Sequence, residues 1–279
     1  LSRYIATPKF QSHIERIQAG GTRQALNFSQ ISGFDIPLPP IEEQRRIARI
    51  LDTADALRLK RRLALQKLDS LTQSIFLEMF GDPAANAMDW NIAQLGDVCD
   101  VRDGTHESPK YVDQGFPLVT SKNLTSGKVD LSDVQLISEK DFEAINRRSK
   151  VDEGDILMPM IGTIGSPVIV GKNPRFAIKN VALIKFKSDS PRNCFVHAFL
   201  SSDHFNRHVK SGNRGGTQKF LSLGDIRRIP VPIPPSALQV KFDEAMSKLD
   251  EVRARFHLND SMLERTWASI QHRAFRGEL

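Results

Sequence analysis

The sequence predicts an α+β protein: one globular mixed α/β domain with a sheet core, and two long helices packed seam to seam as a coiled coil. Three observations predict it. A segment recurs at a fixed interval, with Gly20-Gly21-Thr22, Phe28, Ile31, Ile36-Pro37-Leu38-Pro39-Pro40 and Gln44 matched by Gly215-Gly216-Thr217, Leu223, Ile226, Val231-Pro232-Ile233-Pro234-Pro235 and Gln239. The offset is constant (215 − 20 = 195) and needs no gap. Each copy is followed by a long stretch without Gly or Pro, Ile41 to Met79 and Ser236 to Ala274. Between them lie short β-branched runs separated by turn residues.

A period this long is not that of a solenoid, whose units recur every ~20 to 50 residues. It is a duplicated module of about one domain plus one helix. Residues 1–40 read as a short helix around Phe10 to Ile17, a Gly-Gly turn, and a strand or edge segment stopped by Pro37, Pro39 and Pro40, which cannot donate to a ladder. The same prolines suit a helix entry, where the missing amide costs nothing.

From Ile41 onward the apolar residues Ile47, Leu51, Ala54, Leu57, Leu68, Ile75 and Met79 fall at steps of three, four or seven. The second stretch repeats this with Phe242, Met246, Leu249, Val252, Phe256, Leu263, Trp267, Ile270 and Ala274. Each helix would run roughly 55 to 60 Å at ~1.5 Å per residue. A small domain cannot cover such a seam along its length, so the natural partner for one seam is the other. Arg61 stands where Phe256 stands in the second copy, and Asp260 interrupts the second seam, so a uniform zipper is not expected. Gly81-Asp82-Pro83 ends the first helix.

Beyond it, Phe116 to Thr120, Asp155 to Met158, Ser166 to Val170 and Val181 to Phe186 predict strands. Turn signals at Asp103-Gly104, Ser126-Gly127, Glu153-Gly154 and Gly171 to Pro174 separate them. A helical piece from Asn193 to Val209 precedes the second Gly-Gly-Thr.

The chain has 279 residues and 40% hydrophobic content, enough for a packed core. Cys99 and Cys194 offer neither a disulfide framework nor a zinc site. No run approaches the ~18 apolar residues of a membrane span, and the start has no signal-peptide pattern, so a cytoplasmic protein without membrane contact is expected. The first residue is Leu1 within a repeat unit, which reads as a fragment of a longer chain or a chain that has lost its start. The net charge is +6. From Lys172 to Arg228 there are 12 Lys and Arg against Asp189, Asp203 and Asp225. That segment is either a solvated charged face or a footprint for phosphates.

Catalytic motifs are few. The chain has no phosphate-binding Gly-x-x-x-x-Gly-Lys loop, no Gly-x-Ser-x-Gly elbow and no His-Glu-x-x-His. His204 and His208 share a helical face without further ligands at useful spacing, so no metal is expected. Gly162-Thr163-Ile164-Gly165 is a tight turn or a nucleic-acid clamp, and Asp103-Gly104-Thr105-His106-Glu107 is a polar loop or an acid and a base. In the Gly-Gly-Thr stretch the glycines let backbone approach a ligand, and Thr217, Gln218 and Lys219 suit base edges and phosphates; a plain turn is the other reading. The candidate DNA contacts are Lys122, Asn123, Arg214, Thr217, Gln218 and Lys219.

Several stretches together resemble the specificity subunit of a type I DNA restriction-modification enzyme. They are Pro37 to Pro40 with Glu43-Gln44 and Ile47, Trp90 with Leu95-Gly96-Asp97-Val98, Asp103 to His106, and Gly154 to Leu157. They continue with Gly162 to Gly165, Asn180-Val181-Ala182, Gly216-Thr217-Gln218 and the closing Ala274 to Leu279. The resemblance implies two target-recognition domains alternating with two long helices packed as an antiparallel coiled coil, each domain reading half of a bipartite site in double-stranded DNA. It divides this chain into a C-terminal remnant of a first recognition domain (1–40), a central long helix (41–82), a recognition domain (83–235) and a distal long helix (236–279).

The resemblance also implies a non-catalytic subunit without a cofactor. S-adenosylmethionine would sit on a separate methyltransferase subunit, and cleavage would belong to a restriction subunit. Partner contacts are expected at Gln44, Ile47, Gln239, Phe80 and Phe275. One complete recognition domain implies pairing with a second copy, as a homodimer, or with the missing half. The alternative is a helical assembly adaptor that reads no sequence.

Overall fold

The computed structural model describes residues 2–18, 26–36, 38–125, 127–160, 166–187, 190–212 and 221–274. The chain divides into one unit of Leu1–Leu68 with Glu251–Leu279, and a second of Asp69–Asp250.

The first unit opens with the helices α1 (Ser2–Ile5), α2 (Pro8–Gln18) and α3 (Phe28–Ser32). A capping box starts α3: the Gln30 amide donates to the Asn27 side chain, and the Asn27 amide donates to the side chain of Gln30. The strand expected before Pro37 is absent among the described residues of 1–40. A strand needs a partner edge, and the equivalent second-copy segment has one: Pro230–Ile233 pairs with Asn91–Gln94. The repeat mates differ in burial too. Ile31 is 50% and Ile36 44% exposed, whereas Ile226 and Val231 are fully buried.

The long helix α4 (Ile41–Phe80) begins behind Pro40 with Glu42 and Glu43 in its first turn, where carboxylates oppose the helix dipole. Gly81, at φ +77°, closes it by donating its N–H to the Leu77 carbonyl. Within the first unit, Ile47 and Leu51 pack with Ala274, Trp267 and Ile270. Arg58 lies over the Trp267 ring, Arg61 lies over the Phe256 ring, and Arg253 donates to the Leu68 carbonyl at 3.0 Å. Leu57, expected in the seam, is 56% exposed.

In the second unit the chain continues through β1 (Asn91–Gln94), α5 (Leu95–Val98), β2 (Cys99–Asp103) and β3 (Tyr111–Val119). It then forms β4 (Leu124–Thr125), β5 (Lys128–Val129), β6 (Gln135–Ile137) and α6 (Glu139–Ser149). Next come β7 (Ile156–Pro159), β8 (Val168–Ile169), β9 (Ala177–Ile178) and β10 (Val181–Phe186). The unit's last elements are α7 (Asn193–Leu200), α8 (Asp203–Gly212), α9 (Leu223–Arg227), β11 (Pro230–Ile233) and the start of α10 (Ser236–Ala274). The single helical piece expected over 193–209 is two helices. They break at Ser201-Ser202, where the Ser202 hydroxyl donates to the Phe199 carbonyl and accepts from the Phe205 amide, starting a new turn.

The central sheet runs β2-β10-β7-β8, all antiparallel, beside a three-stranded sheet β6-β3-β9 in which β3 and β9 are parallel. Its core gathers Val119, Leu157, Val168, Ile178, Val181 and Leu183, and the continuous apolar run of β10 is what a strand covered on both faces requires. A second cluster joins Phe76 and Phe80 of α4 to Phe195 of α7 and Phe242 of α10, with ring centroids 4.8 to 6.1 Å apart. The Trp90 indole donates to the Phe80 carbonyl at 2.9 Å, satisfying a helix-end acceptor.

Candidate nucleic-acid interface

Strand register brings the polar motifs of the second unit to one edge. Asp103, the last residue of β2, lies opposite Ala182 at the start of β10, and Pro159, the last of β7, lies opposite Val181. Val119 ends β3 opposite Ile178 of β9, one turn before β10 begins. The loops after β2, β3 and β7 and the Lys179-Asn180 turn therefore leave the sheet at the same end. The Leu221 amide donates to the Met160 carbonyl at 2.9 Å, so Leu221 is fastened just beyond the end of β7, at this edge as well.

The loop after β2 is stitched to the β9–β10 turn. The Gly104 amide donates to Val181, the Thr105 amide to Ile178, and the Asn180 amide to Thr105. A Cβ on Gly104 would stand 2.2 Å from the Ile178 carbonyl oxygen, so only glycine fits.

Side chains complete the edge. Asp103 is buried, and its carboxylate accepts from the Arg148 guanidinium at the end of α6 and from His106 Nε2 at 2.8 Å. His106 Nδ1 lies 2.8 Å from Asn180 Oδ1. Both ring nitrogens thus face oxygen acceptors, an arrangement that the doubly protonated imidazolium satisfies. The pKa of His106 is raised above the usual histidine value, first by the Asn180 contact and then by Asp103. Lys179 Nζ donates to Ser108 Oγ at 2.5 Å. Asp103 and His106 are thus neighbours as the sequence allowed, but the carboxylate is held by the Arg148 guanidinium and the His106 ring, and the loop is an ordered polar scaffold. Arg148 and Asn180 were missed by the sequence reading because they stand 45 and 74 residues from their partners. Arg148 had no local signal; Asn180 stood in one of the resembling stretches.

Of the residues expected to contact DNA, Lys122 is exposed on the turn Ser121–Asn123 beside this edge. Asn123 is buried. Its Oδ1 accepts from the Thr120 amide and hydroxyl, and its Nδ2 donates to the Asp130 and Asp133 carbonyls at 3.2 and 3.0 Å. It holds the turn that presents Lys122. Arg214, Thr217, Gln218 and Lys219 lie outside the described residues, as do Gly162 to Gly165 and Phe275.

Of the expected partner contacts, Ile47, Phe80 and Gln239 are buried inside the chain, and Gln44 is half-buried. Both cysteine thiols are pushed up to about 12 by burial, which keeps them protonated and unreactive. Among the described residues no three His, Cys, Asp or Glu side chains gather as metal ligands do, and no helix is long and apolar enough to cross a membrane.

A sheet domain that presents its polar loops on one edge, in a chain with two repeat-related long helices, defines a modular, loop-presenting subunit. Residues 2–67 and 88–258 match the family model of the type I restriction modification DNA specificity domain, and the chain belongs to that family. The curated relatives it matches are specificity subunits of type I restriction enzymes. The chain is 26% identical to the type I restriction enzyme EcoBI specificity subunit of Escherichia coli, over 99% of its own length and 65% of that protein's. It is 21% identical to the MjaVIII specificity subunit of Methanocaldococcus jannaschii, over 88% of itself and 62% of the relative. It therefore spans less than two thirds of either. A chain from a structure of the type I R-M system superposes with TM-score 0.63 at 20% identity, covering 97% of this chain and 69% of that one. The HsdS subunit of Thermoanaerobacter tengcongensis gives 0.51 at 21% identity, over 93% and 65%. These likenesses establish a shared fold of mixed helix and sheet.

Proposed function

We propose that this chain recognises a specific sequence in double-stranded DNA, one half of a bipartite site, and directs a separate adenine methyltransferase and a restriction subunit to it from the cytoplasm. The observation that carries this reading is the convergence of the polar loops on one edge, with Lys122, His106, Arg148 and Lys179 there. Sequence-specific binding divides work between cations on phosphates and side chains on base edges. S-adenosylmethionine belongs to the methyltransferase subunit in this scheme.

The domain division proposed with it makes residues 1–40 the C-terminal part of a first recognition domain, 41–82 and 236–279 the helices, and 83–235 a complete recognition domain. The exposure of Ile31 and Ile36, whose repeat mates are buried, supports that division. The order of the contacts between α4 and α10, Ile47 and Leu51 with the end of α10 but Leu68 with Arg253, supports an antiparallel coiled coil acting as a spacer. Covering both half-sites then requires a second copy of the chain or the missing half.

The test is duplex DNA binding by this chain with its methyltransferase subunit at several salt concentrations. Sequence preference, weakened by Lys219→Ala with Arg214→Ala, is expected; affinity without preference, or unmoved by both changes, would overturn the reading. Exposed Leu57, Leu59, Leu63, Leu71 and Leu77 on α4 favour a second role for that helix in gripping partner subunits. Copurification of those subunits without any DNA footprint would leave only the adaptor.

A further inference from the structure

The depression between the 103–109 loop and α6 is lined unlike a phosphate cradle. It measures about 280 Å³, and Arg148, Glu107, Ser108 and Asp141 all border it. Asp141 is half-buried, and one of its carboxylate oxygens accepts from the Ser138 hydroxyl at 2.8 Å, in the cap of α6. That leaves an exposed guanidinium and an exposed carboxylate, Glu107, around one opening. A phosphate there would be attracted by one and repelled by the other. A G·C base pair instead presents in the major groove the guanine acceptors N7 and O6 beside the cytosine amino donor, and arginine with a carboxylate is the matching set.

Arg148 is also held in advance of any ligand. The side chain is 64% exposed, yet its guanidinium is tied to the buried Asp103, whose second oxygen is fixed by His106, itself fixed by Asn180 at φ +53° between β9 and β10. A donor fork ordered before binding gives up little conformational freedom on contact. Lys179, resting on Ser108 at the same rim, suits the neighbouring DNA backbone.

Resting on the reading of this chain as a DNA-recognition subunit, we infer that Arg148 is a specificity-determining residue that reads the guanine of one G·C pair in the target, with Glu107 accepting from the paired cytosine. Asp103, His106 and Asn180 are its positioning residues, and Lys179 contributes a backbone contact without sequence content.

The experiment selects bound duplexes from a random pool, using the chain in complex with its methyltransferase subunit. Wild type selects a defined sequence. Arg148→Ala and Arg148→Lys each lose the preference for G·C at one position, by roughly 5- to 150-fold, and keep the others. His106→Ala blunts the preference at the same base pair alone, a pattern that general loss of stability does not produce. Lys179→Ala weakens all sequences alike. Retention of the wild-type preference by Arg148→Lys would overturn the inference, because a lysine charge suffices on a phosphate but cannot form the bidentate contact. So would uniform weakening in Arg148→Ala, or no effect at all. If Arg148→Ala fails to fold, Arg148→Lys, which keeps a cation on Asp103, decides the matter. Loss of the selected sequence on changing Lys219 and Arg214, with Arg148 variants neutral, would sink this assignment and leave the DNA-recognition reading standing. A wild-type complex that selects nothing would end both.

Discussion

The guanidinium of Arg61 lies over the ring of Phe256, 5.5 Å from its centroid, and the two residues occupy the same position of the internal repeat (256 − 61 = 195). Two antiparallel segments related by a dyad meet their own equivalents where the axis crosses them, so this contact supports the antiparallel pairing proposed for α4 and α10. It also accounts for the break in the seam. Two phenylalanines on the axis would make a symmetric apolar pair, whereas an arginine over a phenylalanine replaces that pair with a cation–π contact. A double-mutant cycle with Arg61→Ala and Phe256→Ala is expected to give a coupling of about 1 to 2 kcal/mol in urea unfolding, because two of the guanidinium nitrogens are buried. Strictly additive changes would remove the contact as a stabilising one.

Gln239 and Gln44 test whether a repeated residue keeps its task. Gln44 Nε2 donates to the Pro39 carbonyl at 2.8 Å and Gln239 Nε2 to Pro234 at 2.7 Å, both reaching back over the first turn of a long helix. Gln239 is fully buried and does more: it also donates to Ser190 Oγ at 3.1 Å and accepts from the Arg192 amide at 2.7 Å. Gln239→Leu should therefore cost about 3 kcal/mol by leaving buried backbone groups unsatisfied, and Gln44→Leu about 1 kcal/mol. Equal costs in denaturant titrations would contradict this account.

Lys185 bridges Asp155 at 2.5 Å and Asp152 at 2.9 Å, and the Asp155 side chain is only 7% exposed. Burial pushes the Asp155 carboxyl above its ordinary value despite the lysine. Lys185→Met removes the compensating charge and should destabilise by about 3 kcal/mol at neutral pH. A carboxyl whose folded pKa is raised penalises the folded state above that pKa, so the deficit of the variant shrinks as pH falls and Asp155 takes up a proton. Thermal unfolding of both proteins from pH 5 to 8 checks this; a deficit independent of pH would mean that lost packing is the cause.

The long helices were legible because nothing competes with them. A stretch without Gly or Pro, apolar at helical spacing and bounded by prolines or by Gly81-Asp82-Pro83, has one local solution, and α4 and α10 end within a residue of where the sequence places them. Strands such as β7 and β10 announce themselves by short apolar runs bounded by turn residues. The segment before Pro37 misled because the same residues form a strand only beside a partner such as β1. Asn123 misled for another reason: an amide in a polar turn reads alike whether it faces solvent or, as here, fastens Thr120 to Asp130 and Asp133. The edge itself was only half legible. Asp103 and His106 are close in sequence, but what they do depends on Arg148 and Asn180, which the strand register delivers and a linear pattern does not.

His106 provides the last prediction. Its side chain is 60% exposed, so the surrounding charges act through solvent, and Asp103 favours the protonated ring while Arg148 opposes it. The balance raises the pKa, with the Asn180 contact the largest cause. A histidine raised in the folded state adds stability that is complete below its unfolded pKa of about 6.5 and is lost as pH rises through the folded value. Wild type should therefore lose a small increment of stability between mildly acidic and mildly alkaline pH that His106→Gln does not lose. In NMR titration the His106 ring should also change charge at higher pH than an exposed histidine, and Asp103→Asn or Asn180→Ala should each move that midpoint down. A midpoint at or below the ordinary histidine value in the wild-type chain would mean that the ring is neutral between its two oxygens and that one of them is rotated away.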